Sequence, residues 1–162
     1  MAMVDYFLKI DGIPGESKDA KHKDEIQVLS YSFGETQAGT MAFGGGGGAG
    51  KVRMRDFYFL MNVNKASPKL FLHCADGSHI KNAILTARKA GKDQQDYLKV
   101  TLTDLLVSSF QTNGDALANS LPMDSIGLQF AAIEVEYKVQ NADGTLGARF
   151  KVGYDLKAMQ AL

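Results

Sequence analysis

Cysteine is almost missing from this chain: Cys74 is the only one in 162 residues. A lone thiol closes no intramolecular disulfide, so a fold stapled by disulfides is excluded and synthesis in a reducing compartment is expected. Neither sign of charge is in excess, with 18 Lys and Arg against 18 Asp and Glu. No basic surplus exists to neutralise a phosphate backbone, which argues against general nucleic-acid binding. Low net charge also removes one barrier to self-association. No run approaches the ~18 apolar residues of a membrane helix, so no membrane insertion is expected. The opening MAMVDYFLKIDG has no basic stretch followed by an apolar core, and Asp5 interrupts it. No signal peptide is read there, so export would need a folded-state route. The length suits one domain spanning residues 1–162.

What the chain has in plenty is glycine, concentrated in Gln37–Lys51, QAGTMAFGGGGGAGK. Alternating patterns flank it, so it reads as a long loop projecting from a sheet. Five consecutive glycines, Gly44 to Gly48, are costly to hold still. Either another backbone or a phosphate approaches closely, or the loop orders against a partner. An arm of about eight residues a side would reach ~25 Å, far enough to touch a neighbouring subunit. Gly45-x-x-x-x-Gly50-Lys51 matches the phosphate-binding P-loop until its last position, where Val52 replaces the Ser or Thr that ligands magnesium. A P-loop also feeds a helix N-terminus, whereas Val52–Phe59 alternates like a strand. Met41 and Phe43 fit a sticky projecting tip better.

The rest is mostly strands. Tyr6, Leu8 and Ile10 share one face of the first. Asp11–Gly15 is turn chemistry, and Glu16–Asp24 is a charge run read as a solvated loop. Ile26–Phe33 reads as one strand, with Gln27, Leu29, Tyr31 and Phe33 as its core face and Ser30 and Ser32 on a wetter face. Phase slips near Asp56 and at Ala131-Ala132 suggest β-bulges. Ser67-Pro68 opens the one convincing helix, with Ser67 as N-cap, Leu70, Phe71 and Cys74 as its apolar stripe and Gly77 as its stop. Ala83–Lys89 pairs with Tyr97–Thr103. Thr112–Asp124 is a polar loop, Ser125–Lys138 a strand, and Phe150, Val152, Tyr154 and Leu156 belong to a closing strand. The pattern predicts a mainly β fold: two curved sheets in a barrel-like domain, one short flanking helix, and the long glycine-rich loop.

Catalytic and metal chemistry is not found. His73 and Cys74 are neighbours on a helix and point about 100° apart. His22, His73 and His79 are scattered, and Ser108-Ser109 lacks a nucleophile-elbow context. Arg53 and Arg55 share a strand face, suited to an ion pair or, more sharply, an anion. No enzyme and no cofactor are expected.

Three stretches carry a family likeness. One is Phe7–Ser17 (FLKIDGIPGES) with His22 and Glu25–Gly34 (EIQVLSYSFG). The second is Arg88–Gly91 with Gln94–Leu102 (QQDYLKVTL) and Leu106–Ser109. The third is Glu136-Tyr137, Ala142–Gly144 and Gly153–Asp155. Their order and spacing resemble the Hcp (haemolysin-coregulated) proteins of bacterial type VI secretion, across essentially the whole chain. Where that family often has tryptophan, this chain has Tyr31, Phe33 and Tyr154, and it has no Trp anywhere. Aromatic replacements keep the packing role.

The resemblance implies a homohexamer ring that stacks into a tube within a contractile sheath, capped by the spike protein VgrG. It implies synthesis in the bacterial cytoplasm and type VI secretion into target cells, with small effectors sheltered in the lumen. No catalytic activity is implied. The expected inter-ring contact is the glycine loop, through Gln37, Thr40, Met41, Phe43, Gly44, Gly45, Gly46, Gly47, Gly48 and Lys51. Ser30 and Ser32 are the expected lumen or cargo contacts. The alternative is a free adhesive or ligand-binding β-domain that covers a small molecule with the arm.

Overall fold

The computed structural model describes residues 4–39, 51–89 and 94–162. Eleven strands and one helix run in the order β1 (Val4–Ile10), β2 (Ile26–Val28), β3 (Ser30–Ser32), β4 (Glu35–Gln37), β5 (Val52–Met54), β6 (Phe57–Asn62), α1 (Ser67–Asp76), β7 (Ile80–Lys89), β8 (Asp96–Asn113), β9 (Met123–Gln140), β10 (Leu146–Asp155) and β11 (Gln160–Ala161). The main sheet has the order β11-β10-β9-β8-β7-β1-β2, and β6 branches from β9 with β3 beyond it. β4 and β5 form a separate ribbon. The mainly β fold with one short helix is as expected, but the sheet is not closed, so it is barrel-like only in its curvature.

The spine is the β8–β9 hairpin, two strands of 18 residues each. Its inner part, Leu98–Thr103 with Ala132–Tyr137, lies in the main sheet. Its outer part carries β6, through Phe57↔Leu128 to Asn62↔Met123. The phase slip read at Ala131-Ala132 is real but is no bulge. Both strands change face together there: Leu102 and Ile133 are buried on one side of the slip, Leu105 and Phe130 on the other. The pairing Thr103↔Ala132 and Leu105↔Phe130 keeps register across it. Asp104 takes a left-handed conformation at the turn-over (φ 51°). The register shift lies farther out, between Val107 and Ser109. The slip near Asp56 is also no bulge: β5 pairs with β4 and β6 with β3, so these are two strands in different sheets.

A similar hand-over corrects the reading of Ile26–Phe33. Ile26 and Val28 are buried, while Leu29 is 49% exposed. β2 pairs with β1, then Leu29 donates its N–H to Leu60 O (2.8 Å) and β3 pairs with β6. Changing partner at Leu29 advances the phase by one residue. Tyr31 and Phe33 therefore face the core after Val28, and they stack about Phe57.

The core lies between the main sheet and the β3–β6–β9 branch. Register aligns Leu8, Leu85 and Val100 on one face, all but fully buried. Helix α1 covers the outer part of β8. Its N-cap is Ala66 rather than Ser67, with Pro68 in the first turn, and Gly77 ends it in the left-handed region (φ 67°). Ser67 is buried for another purpose. Its Oγ donates to the fully buried Asp124 (2.6 Å) and accepts the Asn64 N–H (3.1 Å). A hydroxyl given to a buried carboxylate is not free to cap. Leu70 is the buried anchor and Cys74 packs beside it, but Phe71 is 60% exposed, in an edge-on contact with Phe110.

Candidate assembly surfaces

Three features of the surface bear on function, and none is a catalytic constellation. The first is the β4–β5 ribbon, which flanks residues 40–50. Gln37 ends β4 and pairs with Val52 of β5, and Gln37 and Lys51 are both exposed. The ribbon therefore holds the two ends of the glycine-rich segment side by side. Thr40, Met41, Phe43 and Gly44–Gly48 lie outside the described residues. Arg53 and Arg55 are exposed on one face of this return, as expected.

The second feature was not legible in the sequence. The face that is core on β1, β7 and β8 continues in register onto β9 and β10: Leu98↔Tyr137↔Phe150, Val100↔Val135↔Val152, Leu102↔Ile133↔Tyr154. By β10 no described residue covers it. Phe150 is 61% and Val152 73% exposed. The closing strand thus overhangs the core instead of completing it. Between this overhang and the β4–β5 ribbon runs a groove of about 490 Å³, lined by Phe33, Val52, Met54, Val135 and Val152 among others. β11 pairs with β10 only at Tyr154 and Asp155, which leaves the rest of the β10 edge open within the described residues. Alternation reveals two faces of a strand, but not whether anything lies over either.

The third feature is β3. Ser30 and Ser32 are exposed and sit opposite Leu60 and Tyr58. They are on a wet sheet face, as expected, and the β4–β5 ribbon is made of other strands.

The charge run Glu16–Asp24 is a loop with most of its charges exposed, as expected, but it is pinned to the sheet at His22 and Asp19. His22 is buried and stacks on Phe7, with ring centroids 4.5 Å apart. Arg88, 2% exposed, pairs with Asp19 (2.8 Å) and Asp5 (3.4 Å) and lies over the same Phe7 ring. The Arg88 guanidinium holds the Asp19 carboxyl down to about 2. The carboxylates in turn push the Arg88 pKa up. Gly15 permits the closure, because a Cβ there would lie 2.5 Å from the Glu25 carbonyl oxygen. On the same sheet face Glu134 and Glu136 pair with Lys151 and Arg149.

Among the described residues no group of three or more His, Cys, Asp or Glu side chains is placed to hold a metal ion. His73 bonds to the Lys69 carbonyl and His79 to Asp104. The His79–Asp104 pair borders a second cleft of about 410 Å³. No helix in the described residues is long and apolar enough to cross a membrane.

Comparison with known proteins places this architecture. The family profile "Type VI secretion system effector, Hcp" matches residues 7–137. Protein hcp1 of Pseudomonas aeruginosa is 44% identical over 156 residues, which is 95% of this chain and 96% of that protein. The crystal structure of Hcp1 from Salmonella typhimurium superposes with a TM-score of 0.85 at 40% identity, covering 99% of this chain and all of that one. A structure described as a type six secretion system protein gives a TM-score of 0.92 at 27% identity, covering 98% and 99%.

Proposed function

The chain belongs to the Hcp family of the type VI secretion system, a secreted structural family and not an enzyme family, and from that premise we propose that it is the ring subunit of the secretion tube. In this reading residues 1–162 form one tube-subunit domain, and a homohexamer of it stacks into a tube inside the sheath, beneath the spike protein VgrG. The tube carries or shelters effectors in its lumen. The observation that carries the reading is the uncovered core face on β10. A soluble protein leaves an apolar sheet face and an open strand edge unprotected at the risk of aggregation. A neighbouring subunit covers both. Ring closure needs two different, complementary patches on each copy, and the overhang supplies one of them.

Sedimentation equilibrium with negative-stain imaging tests this directly. A hexamer mass with ring-shaped particles supports it. A monomer at high concentration returns the chain to the alternative, a free adhesive or ligand-binding β-domain with the 490 Å³ groove as its site.

Two finer assignments rest on the same reading. The arm from Gln37 to Lys51 contacts the adjacent ring, because the β4–β5 ribbon brings its two ends together and leaves both Gln37 and Lys51 exposed. Deleting Gly44–Gly48 is expected to abolish tubes while single rings persist. Unchanged tube formation rejects the assignment. Ser32 faces the lumen and touches cargo, since β3 presents it on an exposed sheet face. Ser32→Gln is expected to reduce cargo protection with the ring intact, and undiminished cargo survival would make Ser32 mere surface.

A further inference from the structure

The face of the main sheet turned away from the core is polar. Phe7, Thr86, Lys99, Glu136 and Lys151 align across it. Phe7 is the exception in that row, and it is 1% exposed because residues 16–25 lie over it. His22 is the contact between that segment and the ring of Phe7. It also joins two other parts of the chain. Nδ1 faces both oxygens of Glu25 (3.1 and 3.0 Å), and Nε2 faces Oδ1 of Asp96 at the start of β8 (3.1 Å).

Ionised carboxylates accept hydrogen bonds and donate none, so both ring nitrogens must donate, and only the doubly protonated imidazolium does that. We propose that His22 is a proton-operated clasp: with two ring protons it fastens residues 16–25 to β1 and β8, and with one it lets the segment go. After loss of a proton, one nitrogen turns a lone pair toward a carboxylate. Glu25, with 12% of its side chain exposed, has little water to compensate.

The surrounding charges make His22 the part that changes. The segment itself presents Asp19, whose Oδ1 accepts the backbone N–H of His22 (3.3 Å), and Glu25. β8 presents Asp96, β1 presents Asp5, and β7 presents Arg88. Lys21 reaches the Gln94 carbonyl (3.4 Å). Arg88 and Asp19 form an ion pair that stays ionised through the neutral range, so it anchors one end of the segment throughout. Imidazole is the side chain that changes charge between about pH 5 and about pH 8. The protonated form is the one the folded contacts hold. The fastening is therefore complete on the acid side and is lost as pH rises. Opening bares the Phe7 ring and removes the His22–Glu25 contact that braces the loop closed by Ser17 N–H to Glu25 O and Asp24 N–H to Ser17 O, so those two amides lose protection.

Amide hydrogen exchange on the full chain, corrected for intrinsic exchange at each pH, tests the clasp. Between about pH 5.5 and about pH 8, protection of the Ser17 and Asp24 amides is expected to fall about tenfold relative to the β7 amides. In His22→Gln it is expected to be low and flat while β7 stays protected. A flat wild-type profile, or the same slope in His22→Gln, overturns the proposal. Should that variant fail to fold, nitrogen shifts of the wild-type imidazole near about pH 5.5 decide. Both nitrogens protonated uphold the clasp, and one bare nitrogen overturns it.

Discussion

Replacing Arg88 with methionine is expected to cost about 2–3 kcal/mol of folding stability, the low end for removing one partner of a buried ion pair. The Arg88 side chain is almost fully buried, but Asp19 and Asp5 keep 21% and 37% of theirs in water, which softens the penalty of leaving them unpaired. Methionine preserves the packing on Phe7, so the loss reports the charge. The pH dependence is a second signature. Asp19 is held at about 2 against an ordinary 3.8, chiefly by its hydrogen bond to Arg88. A depressed carboxyl contributes stability that is present above its ordinary value and is lost as pH falls through its folded one. Wild type should therefore lose this contribution between about pH 4 and about pH 2, and Arg88→Met should lack that part of the acid limb. Urea unfolding at a series of pH values measures both. Equal stabilities at neutral pH would mean that the Arg88 ion pairs contribute nothing to holding segment 16–25.

Phe57→Ala is the other large effect expected, about 3–5 kcal/mol. Phe57 is fully buried where β6 leaves the arm, with Tyr31 (5.8 Å), Phe33 (6.1 Å) and Phe59 (6.4 Å) against its ring. Alanine leaves a cavity that three aromatic neighbours in a pleated sheet fill poorly. With no tryptophan in the chain, the near-ultraviolet signal of its six tyrosines, Tyr31 among them, gives a readout of packing beside denaturant unfolding. A loss below about 1 kcal/mol would show that Tyr31 and Phe33 collapse into the space. Phe57→Leu should recover most of the difference.

Strand after strand was legible in the sequence, because each strand alternates and each alternation implies one wet face and one dry face. The helix was legible from Pro68 and Gly77. What escaped had a common cause: local patterns do not name their partners. Leu29 reads as core only if Ile26–Phe33 keeps one neighbour throughout, and it does not. Ser67 has the right chemistry for a cap, but Asp124, distant in sequence, claims its hydroxyl. Asp19 in the run Glu16–Asp24 looks solvated until Arg88, on another strand, is seen to meet it. Phe150 and Val152 alternate like core residues and lie on the core face, yet no element among the described residues covers them. That last failure points outward. It was the family likeness, carried by specific runs such as Phe7–Ser17, that supplied a reason for an unfinished surface.

The 18-residue β8–β9 ribbon has a consequence for how the protein is made. Two parts of the one branched sheet draw on β9: β10 pairs with its second half, and β6 pairs with its first. Chains emerge from the ribosome N-terminus first, and strands paired across long sequence separations wait for their partners. Until Gln140 is clear of the exit tunnel, β6 has no β9 to lie on and β8 has one bare edge. Some seven-eighths of the chain must therefore be made before the β6 branch can join the main strands. The sheet is completed only from that moment, in a late step of synthesis.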